Sequence, residues 1–306
     1  MTPSEIRNKR ILFSALNWGM GHVSRCIGLI QQLEKNGNVI LIACDSAQKS
    51  VFEEYFPSLL YLNHEGYPFR FNGKGNFEMD LVGCFPILRK RMSKEVEEVT
   101  TYLSQNKIDL IISDHRYGFR NDNTTSIFIT HQLNLPVKWY ASFIQKWHEK
   151  LMTKFNFIWV MDFDDNRLAG NLSKKKKGLP ADFIGPYSRF MFQENMMNQN
   201  GGEVLIASGP VIYAKQFVDE QLPFLNKDDA QVIAASSIEI PNEWVRVSNQ
   251  WKAQDVVIMN ASKIISRSGY STIMDLHFLK KSFEMYPTKG QAEQEYLAKI
   301  NRTSEP

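Results

Sequence analysis

The sequence predicts an α/β protein of two doubly wound domains that face each other across a cleft. Along residues 1–165, short and nearly continuous apolar runs alternate with helix-like segments, as in parallel sheets that are covered on both faces. The alternation weakens over 166–202 and then resumes. We therefore expect a first domain over 1–165, a linker region over 166–202 and a second domain over 203–306.

The individual elements follow from the same patterns. Strands are expected at the apolar runs Arg10–Leu16, Val39–Ala43, Asp109–Ser113, Ser126–Thr130, Phe155–Met161, Glu203–Ala207, Ala230–Ala235, Trp244–Val247, Ser262–Ile265 and Ser282–Tyr286. Helical patterning covers Gly28–Lys35, Val51–Phe56, Ser93–Gln105 and Gln291–Arg302. Because strands and helices alternate, the strands of each domain are expected to be parallel.

Composition excludes several function classes. A net charge of +3 over 306 residues is too small to indicate a nucleic-acid partner. No apolar run approaches the roughly 18 residues that a membrane-spanning helix needs. The three cysteines are widely spaced and the N-terminus is polar, which favours a reducing cytosol. No cluster of carboxylates or histidines has ligand spacing, so no metal site is expected.

The first glycine-rich turn follows the first strand and contains Gly19, Gly21 and His22. A dinucleotide fingerprint would need a third glycine where Ser24 stands. Asp45 nevertheless ends the second strand, where an acid that binds ribose belongs, so a nicotinamide enzyme stays open. At a helix N-terminus His22 would face the ligand crevice, and the helix dipole would favour the neutral imidazole that accepts a proton. The alternative is a surface histidine that caps a turn.

A second glycine-rich turn follows a strand of the second domain. Ser268, Gly269, Ser271 and Thr272 place hydroxyls and backbone N–H groups at a helix N-terminus, and Arg267 precedes them with a positive charge. This combination suits a diphosphate. One helical turn further on, Asp275 projects from the same face as Ser271 and can accept two hydrogen bonds from a ribose.

Polar side chains also begin the last expected helix. Gln291, Glu293 and Gln294 follow the strand that ends at Tyr286. Amide and carboxylate groups at the carboxyl end of a strand suit the hydroxyls of a sugar ring. The alternative is a capped surface helix, because Glu and Gln are ordinary residues in a first turn.

These motifs resemble those of the MurG-like UDP-glycosyltransferases, a family with two facing Rossmann-like domains, the GT-B fold. The stretches that carry the resemblance are Gly19–Val23, Ser113–Phe119, Thr130–Leu133, Ser266–Leu276 and Gly290–Ala298. The resemblance follows chain order over most of the sequence and indicates a bacterial subgroup. It does not indicate MurG itself, because the second domain lacks the longer glycine-rich loop of that enzyme and Lys289 replaces a small residue.

The resemblance implies a metal-independent transfer of a sugar, expected to be an N-acetylhexosamine, from a UDP-sugar to a hydroxyl acceptor. The UDP-sugar would be a substrate, and no cofactor is expected. His22 would be catalytic. The acceptor-side loop would include Gly19, Gly21, Asp114 and His131, and Asp114 and His115, or His131, could assist His22. Arg267, Ser268, Gly269, Ser271 and Thr272 would bind the diphosphate, Asp275 the ribose, and Gln291, Glu293 and Gln294 the donor sugar.

Two other functions stay open. Residues Gly21–Cys26 also resemble the opening of a UDP-sugar hydrolase of the same fold, in which His22 would activate water. A non-catalytic protein that binds nucleotide sugars is the third hypothesis. The acceptor is expected to be a lipid-linked molecule or a glycan of the cell envelope. Leu81–Leu88, an apolar patch beside Arg89, Lys90 and Arg91, would then allow contact with the inner face of the membrane from the cytoplasm; the alternative is a buried turn.

Overall fold

Two parallel β-sheets form the framework of the molecule in the computed structural model. The structure describes residues 1–68, 77–137, 142–193 and 201–301, except for the side chains of 77–82. Parts of two predicted regions, 194–200 of the linker and Arg302 of the last helix, therefore lie outside the described residues, as does the side chain of Leu81.

The first sheet contains seven strands in the order β3-β2-β1-β4-β5-β6-β7. They are β1 (Arg10–Ala15), β2 (Val39–Cys44), β3 (Leu60–Asn63), β4 (Leu110–Asp114), β5 (Ser126–Thr130), β6 (Phe157–Val160) and β7 (Ala181–Phe183). The central strands β4 and β5 are buried at every residue, which explains their unbroken apolar sequence. Strand β7 lies within 166–202, so part of the stretch expected to be a linker belongs to this sheet.

The second sheet contains five parallel strands in the order β10-β9-β8-β11-β12. They are β8 (Gly201–Ala207), β9 (Gln231–Ala234), β10 (Val245–Arg246), β11 (Ala261–Arg267) and β12 (Ser282–Tyr286). In both sheets the strand order reverses beside the first strand in the chain, which is β1 in one sheet and β8 in the other. Open α/β sheets bind ligands at this point. The predicted α/β fold of two parallel, doubly wound sheets is confirmed.

Eight α-helices cover the sheets in the described part of the chain. They are α1 (Met20–Lys35), α2 (Ser46–Tyr55), α3 (Phe77–Gln105), α4 (Ser142–Met152), α5 (Val211–Gln221), α6 (Trp251–Asn260), α7 (Tyr270–Leu279) and α8 (Ala292–Ile300). Helix α3 begins well before the predicted Ser93 and includes Pro86. The patch Leu81–Leu88 is therefore part of a helix, and not a turn.

The two sheets share an apolar interface. Tyr270, Ile273 and Met274 of α7 and Leu297 of α8 belong to the same buried cluster as the core of the first sheet. Gly28 of α1 allows the chain to cross this helix, because a Cβ there would lie 2.3 Å from the carbonyl oxygen of Ser188. Helices α1 and α7 also meet: Ser271 of α7 donates to the carbonyl oxygen of Gly21 of α1 over 2.7 Å, so their N-termini lie together.

Candidate active site

Helix α1 begins in the crevice at the carboxyl end of β1. Its N-cap, Gly19, has φ 125°, a conformation that residues with a Cβ rarely adopt. Among the described residues, a Cβ at Gly19 or Gly209 would meet no atom within 4 Å, and one at Gly269 would meet only Thr272 Oγ1 at 3.9 Å. These glycines follow β1, β8 and β11, so the turns at all three strand ends border open space.

The central feature of the site is a pair formed by His22 and Asp114. Nδ1 of His22, in the first turn of α1, lies 2.8 Å from Oδ2 of Asp114, the last residue of β4. The aspartate side chain is fully buried, whereas 19% of the histidine side chain is exposed. When Nδ1 donates to the carboxylate, Nε2 is left with a lone pair. This arrangement suits a general base.

Arg25 lies one helical turn after His22 and contacts both members of this pair. Its Nε donates to Oδ2 of Asp114 over 3.1 Å, and a second guanidinium nitrogen contacts Oδ1. The same nitrogen lies 2.8 Å from His22 Nδ1. Arg25 was not among the residues predicted for the site. The signal that could have found it is the i, i+3 spacing, which places Arg25 on the helix face of His22.

The electrostatics of the pair follow from burial and from Arg25. Burial would raise the pKa of Asp114, but the charge of Arg25 and the contact with His22 outweigh it and lower that pKa to about 2. Burial and the nearby guanidinium lower the pKa of His22, against the opposing effect of Asp114. Asp114 is therefore ionised and His22 is neutral near pH 7, which is the protonation state that a base requires.

Two more histidines surround the pair. His115 has φ 57°, and its ring centroid lies 5.5 Å from that of His22; burial holds its pKa well below the usual value. Nδ1 of His131, directly after β5, lies 2.9 Å from a guanidinium nitrogen of Arg25. Both residues follow strands that end at the crevice, and both were candidates from the sequence.

The second side of the crevice is the N-terminus of α7. By helix geometry the N–H groups of its first turn have no partner within the helix. Ser271 and Thr272 are half-buried there, and Ser271 Oγ donates to the carbonyl oxygen of Gly21 over 2.7 Å. Two helix N-termini, each with a positive partial charge, thus converge on the same space, and their combined field favours an anion.

Some predicted donor residues have partners within the protein. Ser268 is fully buried and donates to the carbonyl oxygen of Gln294 over 2.8 Å. The guanidinium of Arg267 donates to the carbonyl oxygen of Pro287 over 3.0 Å and lies 4.3 Å from the ring centre of Phe217. The turn therefore borders the crevice through Gly269, Ser271 and Thr272. Ser268 and Arg267 instead form hydrogen bonds within the protein.

Asp275 is buried between α7 and the segment that crosses α1. Its carboxylate accepts a hydrogen bond from Ser188 at 2.5 Å and lies 3.3 Å from Arg189 and 3.4 Å from Ser24. Arg189 also contacts Asp255 of α6 at 2.5 Å. Asp275 thus takes part in a buried network between the two sides of the protein. Ser188 and Arg189 were not predicted, because neither residue belongs to a local sequence motif.

The residues that begin α8 differ in their surroundings. Gln291 is the N-cap and is half-buried, and Oε1 of Gln294 accepts from the N–H of Thr288 at 2.8 Å. Oε1 of Glu293 lies 2.8 Å from Nε2 of His131. Predicted residues from the two sides of the crevice, Glu293 and His131, are therefore brought into direct contact.

Several solved protein structures have a fold similar to that of this chain. The described chain aligns with the glycotransferase of kitacinnamycin (TM-score 0.61, 13% identity, 95% of this chain and 84% of that one). It also aligns with UGT89C1 of Arabidopsis thaliana in complex with UDP-L-rhamnose (TM-score 0.62, 12% identity, 96% and 82%). The spinosyn rhamnosyltransferase SpnG with thymidine diphosphate gives a TM-score of 0.57 at 12% identity (95% and 84%).

The fold is of the GT-B type. In this GT-B protein the two parallel sheets correspond to the two predicted Rossmann-like domains. No protein-family model and no curated protein sequence matches the chain. Over the described residues, no helix is long and apolar enough to cross a membrane, and no group of three or more His, Cys, Asp or Glu side chains is arranged to hold a metal ion.

Proposed function

We propose that this GT-B protein is a glycosyltransferase that moves a sugar from a UDP-sugar to a hydroxyl acceptor. The observation that carries the proposal is the pair of half-buried His22 and buried Asp114, which lies beside the N-terminus of α7 in the crevice. A base and an anion site within one crevice are what sugar transfer from a nucleoside diphosphate requires. Two proteins of similar fold were solved with UDP-L-rhamnose and with thymidine diphosphate.

The proposed reaction uses His22 as the base. Nε2 of His22 takes the proton of the acceptor hydroxyl, and the acceptor oxygen forms a bond to the anomeric carbon of the donor. The bond between that carbon and the diphosphate oxygen breaks, and its electron pair leaves with UDP. The first turn of α7, at Gly269, Ser271 and Thr272, stabilises the negative charge on the leaving group through N–H groups and hydroxyls.

The finer assignments belong to the same proposal. Gln291 and Glu293 border the donor sugar, for which an N-acetylhexosamine is proposed, and the reaction needs neither a metal nor a cofactor. The ribose contact expected for Asp275 requires that its carboxylate exchange Ser188 or Arg189 for hydroxyls of the ligand. A UDP-sugar hydrolase would use the same groups with water in place of the acceptor.

The first test is a thermal melt with UDP, UDP-N-acetylglucosamine and NADH in parallel. A ligand at about 100 times its dissociation constant adds about 2.7 kcal/mol to the free energy of unfolding, which moves a melt by several degrees. Stabilisation by the uridine compounds alone is expected. Stabilisation by NADH alone would instead support a dinucleotide enzyme at Gly19–Asp45, and no shift with any compound would contradict the proposed donor.

The second test separates transfer from its alternatives. Release of UDP from UDP-N-acetylglucosamine is measured for the wild type and for His22→Ala. We expect the variant to lose turnover by a factor of about 100 or more while UDP still binds. UDP release without any acceptor would identify a hydrolase. Binding of the donor without turnover under any condition would identify a non-catalytic nucleotide-sugar protein.

A membrane-borne acceptor is the finer proposal for the second substrate. A groove of about 510 Å³ between α3 and α4 is lined by Phe85, Trp147, Arg89, Lys150 and Lys154 among others, and none of the described lining residues is acidic. Ile87 and Phe143 on the same two helices are 58% and 59% exposed. Apolar side chains beside cations suit an anionic lipid surface. The cytoplasmic location stays a prediction.

Sedimentation with anionic phospholipid vesicles tests this contact. The double variant Ile87→Asp/Phe143→Asp should pellet less than the wild type, because it removes apolar area and adds repulsion from the lipid. Phe224→Asp serves as the matched control. It changes an apolar residue that is 82% exposed and lies on the side of the second sheet, called the donor side because the UDP-sugar is proposed to bind there. Equal pelleting of all three proteins, or none by the wild type, would exclude the contact.

A further inference from the structure

We propose that Arg25, His131 and Glu293 form a relay that couples docking of the donor side to the orientation of the His22–Asp114 pair. The inference rests on the proposed function, in which His22 is the base. It assigns Arg25 and His131 as positioning residues, which act on the reaction through Asp114 and His22. The relay crosses the crevice, since Glu293 begins α8 and the other members lie on the side of the first sheet.

The donors and acceptors of the relay determine the tautomer of His131. A guanidinium carries donors only, so Nδ1 of His131, 2.9 Å from Arg25, must accept. The ring proton of neutral His131 then lies on Nε2, which donates to Oε1 of Glu293 over 2.8 Å. The chain of contacts therefore has one direction, from Arg25 through His131 to Glu293.

A second consequence concerns Asp114 and His22. Arg25 contacts both oxygens of Asp114, which fixes the plane of the carboxylate and directs Oδ2 to His22. The same guanidinium also lies 2.8 Å from His22 Nδ1, where it can donate to that nitrogen and place the ring proton on Nε2. In that tautomer Nε2 is not a base. Whether His22 can act therefore depends on which contact of Nδ1 prevails, the one to Asp114 or the one to Arg25.

His131 is the group through which the donor side affects the tautomer of His22. Its ring stacks on Tyr270, the first residue of α7, with centroids 4.2 Å apart and an interplanar angle of 6°. Tyr270 is anchored in turn by a hydrogen bond of 2.5 Å to the carbonyl oxygen of Met161. Because α7 and α8 both contact the ring, docking of the donor side keeps its Nδ1 in place to accept from Arg25. This bond holds the guanidinium where its Nε and its second terminal nitrogen contact both oxygens of Asp114, so that Oδ2 stays directed to His22.

The first experiment needs no substrate. The sequence has six histidines, and their ring tautomers can be read from long-range 15N–1H correlations of the labelled protein, with assignment by single substitutions. We expect the Nε2–H tautomer for His131 and the Nδ1–H tautomer for His22. In Glu293→Ala the His22 signal should shift toward the Nε2–H tautomer. A Nδ1–H tautomer of His131 in the wild type would overturn the relay, because it excludes donation from Arg25.

The second experiment measures turnover. His131→Phe preserves an aromatic ring against Tyr270 and removes both hydrogen bonds. We expect kcat to fall by about tenfold or more with the dissociation constant of UDP changed by less than about twofold. Glu295→Ala is the matched control on α8, because Glu295 is exposed and its side chain accepts from the N–H of Gly290, outside the relay. His131→Phe with wild-type kcat would overturn the relay.

The pH dependence of Glu293→Ala adds a measurement that a purely structural role would not change. The charged and titratable groups that face His22 are Arg25, Asp114, His115 and His131. Loss of the Glu293 charge leaves Arg25 less compensated, so the acid limb of kcat/KM should move to lower pH, and an unmoved limb would contradict the coupling. If the wild type transfers no sugar, the proposed function fails, and the tautomers alone decide the relay.

Discussion

The two sides of the crevice are built from different kinds of groups. On the side of the first sheet, the site consists of buried ionisable side chains, His22, Arg25 and Asp114, which depend on one another for their charge and orientation. On the side of the second sheet, which is the proposed donor side, it consists of backbone N–H groups and hydroxyls at the start of α7. The first arrangement is vulnerable to changes of charge, and the second to changes of shape.

Asp114→Asn should have the largest effect. It leaves the buried guanidinium of Arg25 without a compensating charge, and breaking a buried ion pair in this way costs about 3 to 5 kcal/mol. Urea unfolding monitored by circular dichroism measures the loss. Asp165→Asn is the control, because Asp165 forms an ion pair in which both side chains are 56% exposed. Equal stability of the two variants would show that Asp114 and Arg25 are not paired in the folded protein.

The pH dependence of stability gives the next largest effect. The pKa of Asp114 is about 2 against an ordinary value of 3.8. The carboxylate therefore stabilises the fold above pH 3.8, and this contribution, about 2 kcal/mol, is lost as the pH falls through 2. Wild type and Asp114→Asn are compared by urea unfolding between about pH 5 and 2. Parallel curves for the two proteins would contradict the lowered pKa.

Gly269→Ala tests the donor side with a smaller expected effect. The Cβ would meet only Thr272 Oγ1, at 3.9 Å, and φ is −75°, so the fold should tolerate it. The methyl group would occupy space over the first turn of α7, and we expect the affinity for UDP to fall by about tenfold. Isothermal titration calorimetry measures this, with Gly83→Ala of α3 as the control.

Unchanged UDP affinity in Gly269→Ala would show that the diphosphate does not approach the start of α7. A large loss of stability in the same variant would mean that the turn is packed more tightly than the distances indicate. Either result would weaken the contrast between a charge-sensitive and a shape-sensitive side.

The smallest expected effect is on the pH profile of activity. Burial and Arg25 lower the pKa of His22, so His22 stays neutral below its ordinary pKa of 6.5. The acid limb of kcat/KM should consequently lie below pH 6.5, with activity lost only as the pH falls through the lowered value. A limb above pH 6.5 would show that Asp114 dominates Arg25 in setting the basicity of His22.

The fold was largely accessible from sequence because most strands are buried on both faces. All ten predicted strands are present, with ends shifted by a few residues. The two strands that were missed, β3 and β7, are short, and half-buried or exposed over most of their length, so they carry no unbroken apolar run. The start of α3 was missed because Pro86 and the apolar run around it do not have the usual helical pattern.

The sequence by itself determined the two parallel sheets, the glycine turns at the ends of β1 and β11, and His22 as a residue of the crevice. These depend on local patterns of apolar residues and on backbone conformation, which neighbouring residues specify. Only the tertiary structure decided that Asp114, Arg25 and His131 surround His22, that Glu293 reaches across to them, and that Asp275 contacts Ser188 and Arg189. Such contacts join residues as many as 162 positions apart in the chain, and no short-range signal encodes which buried charges will meet.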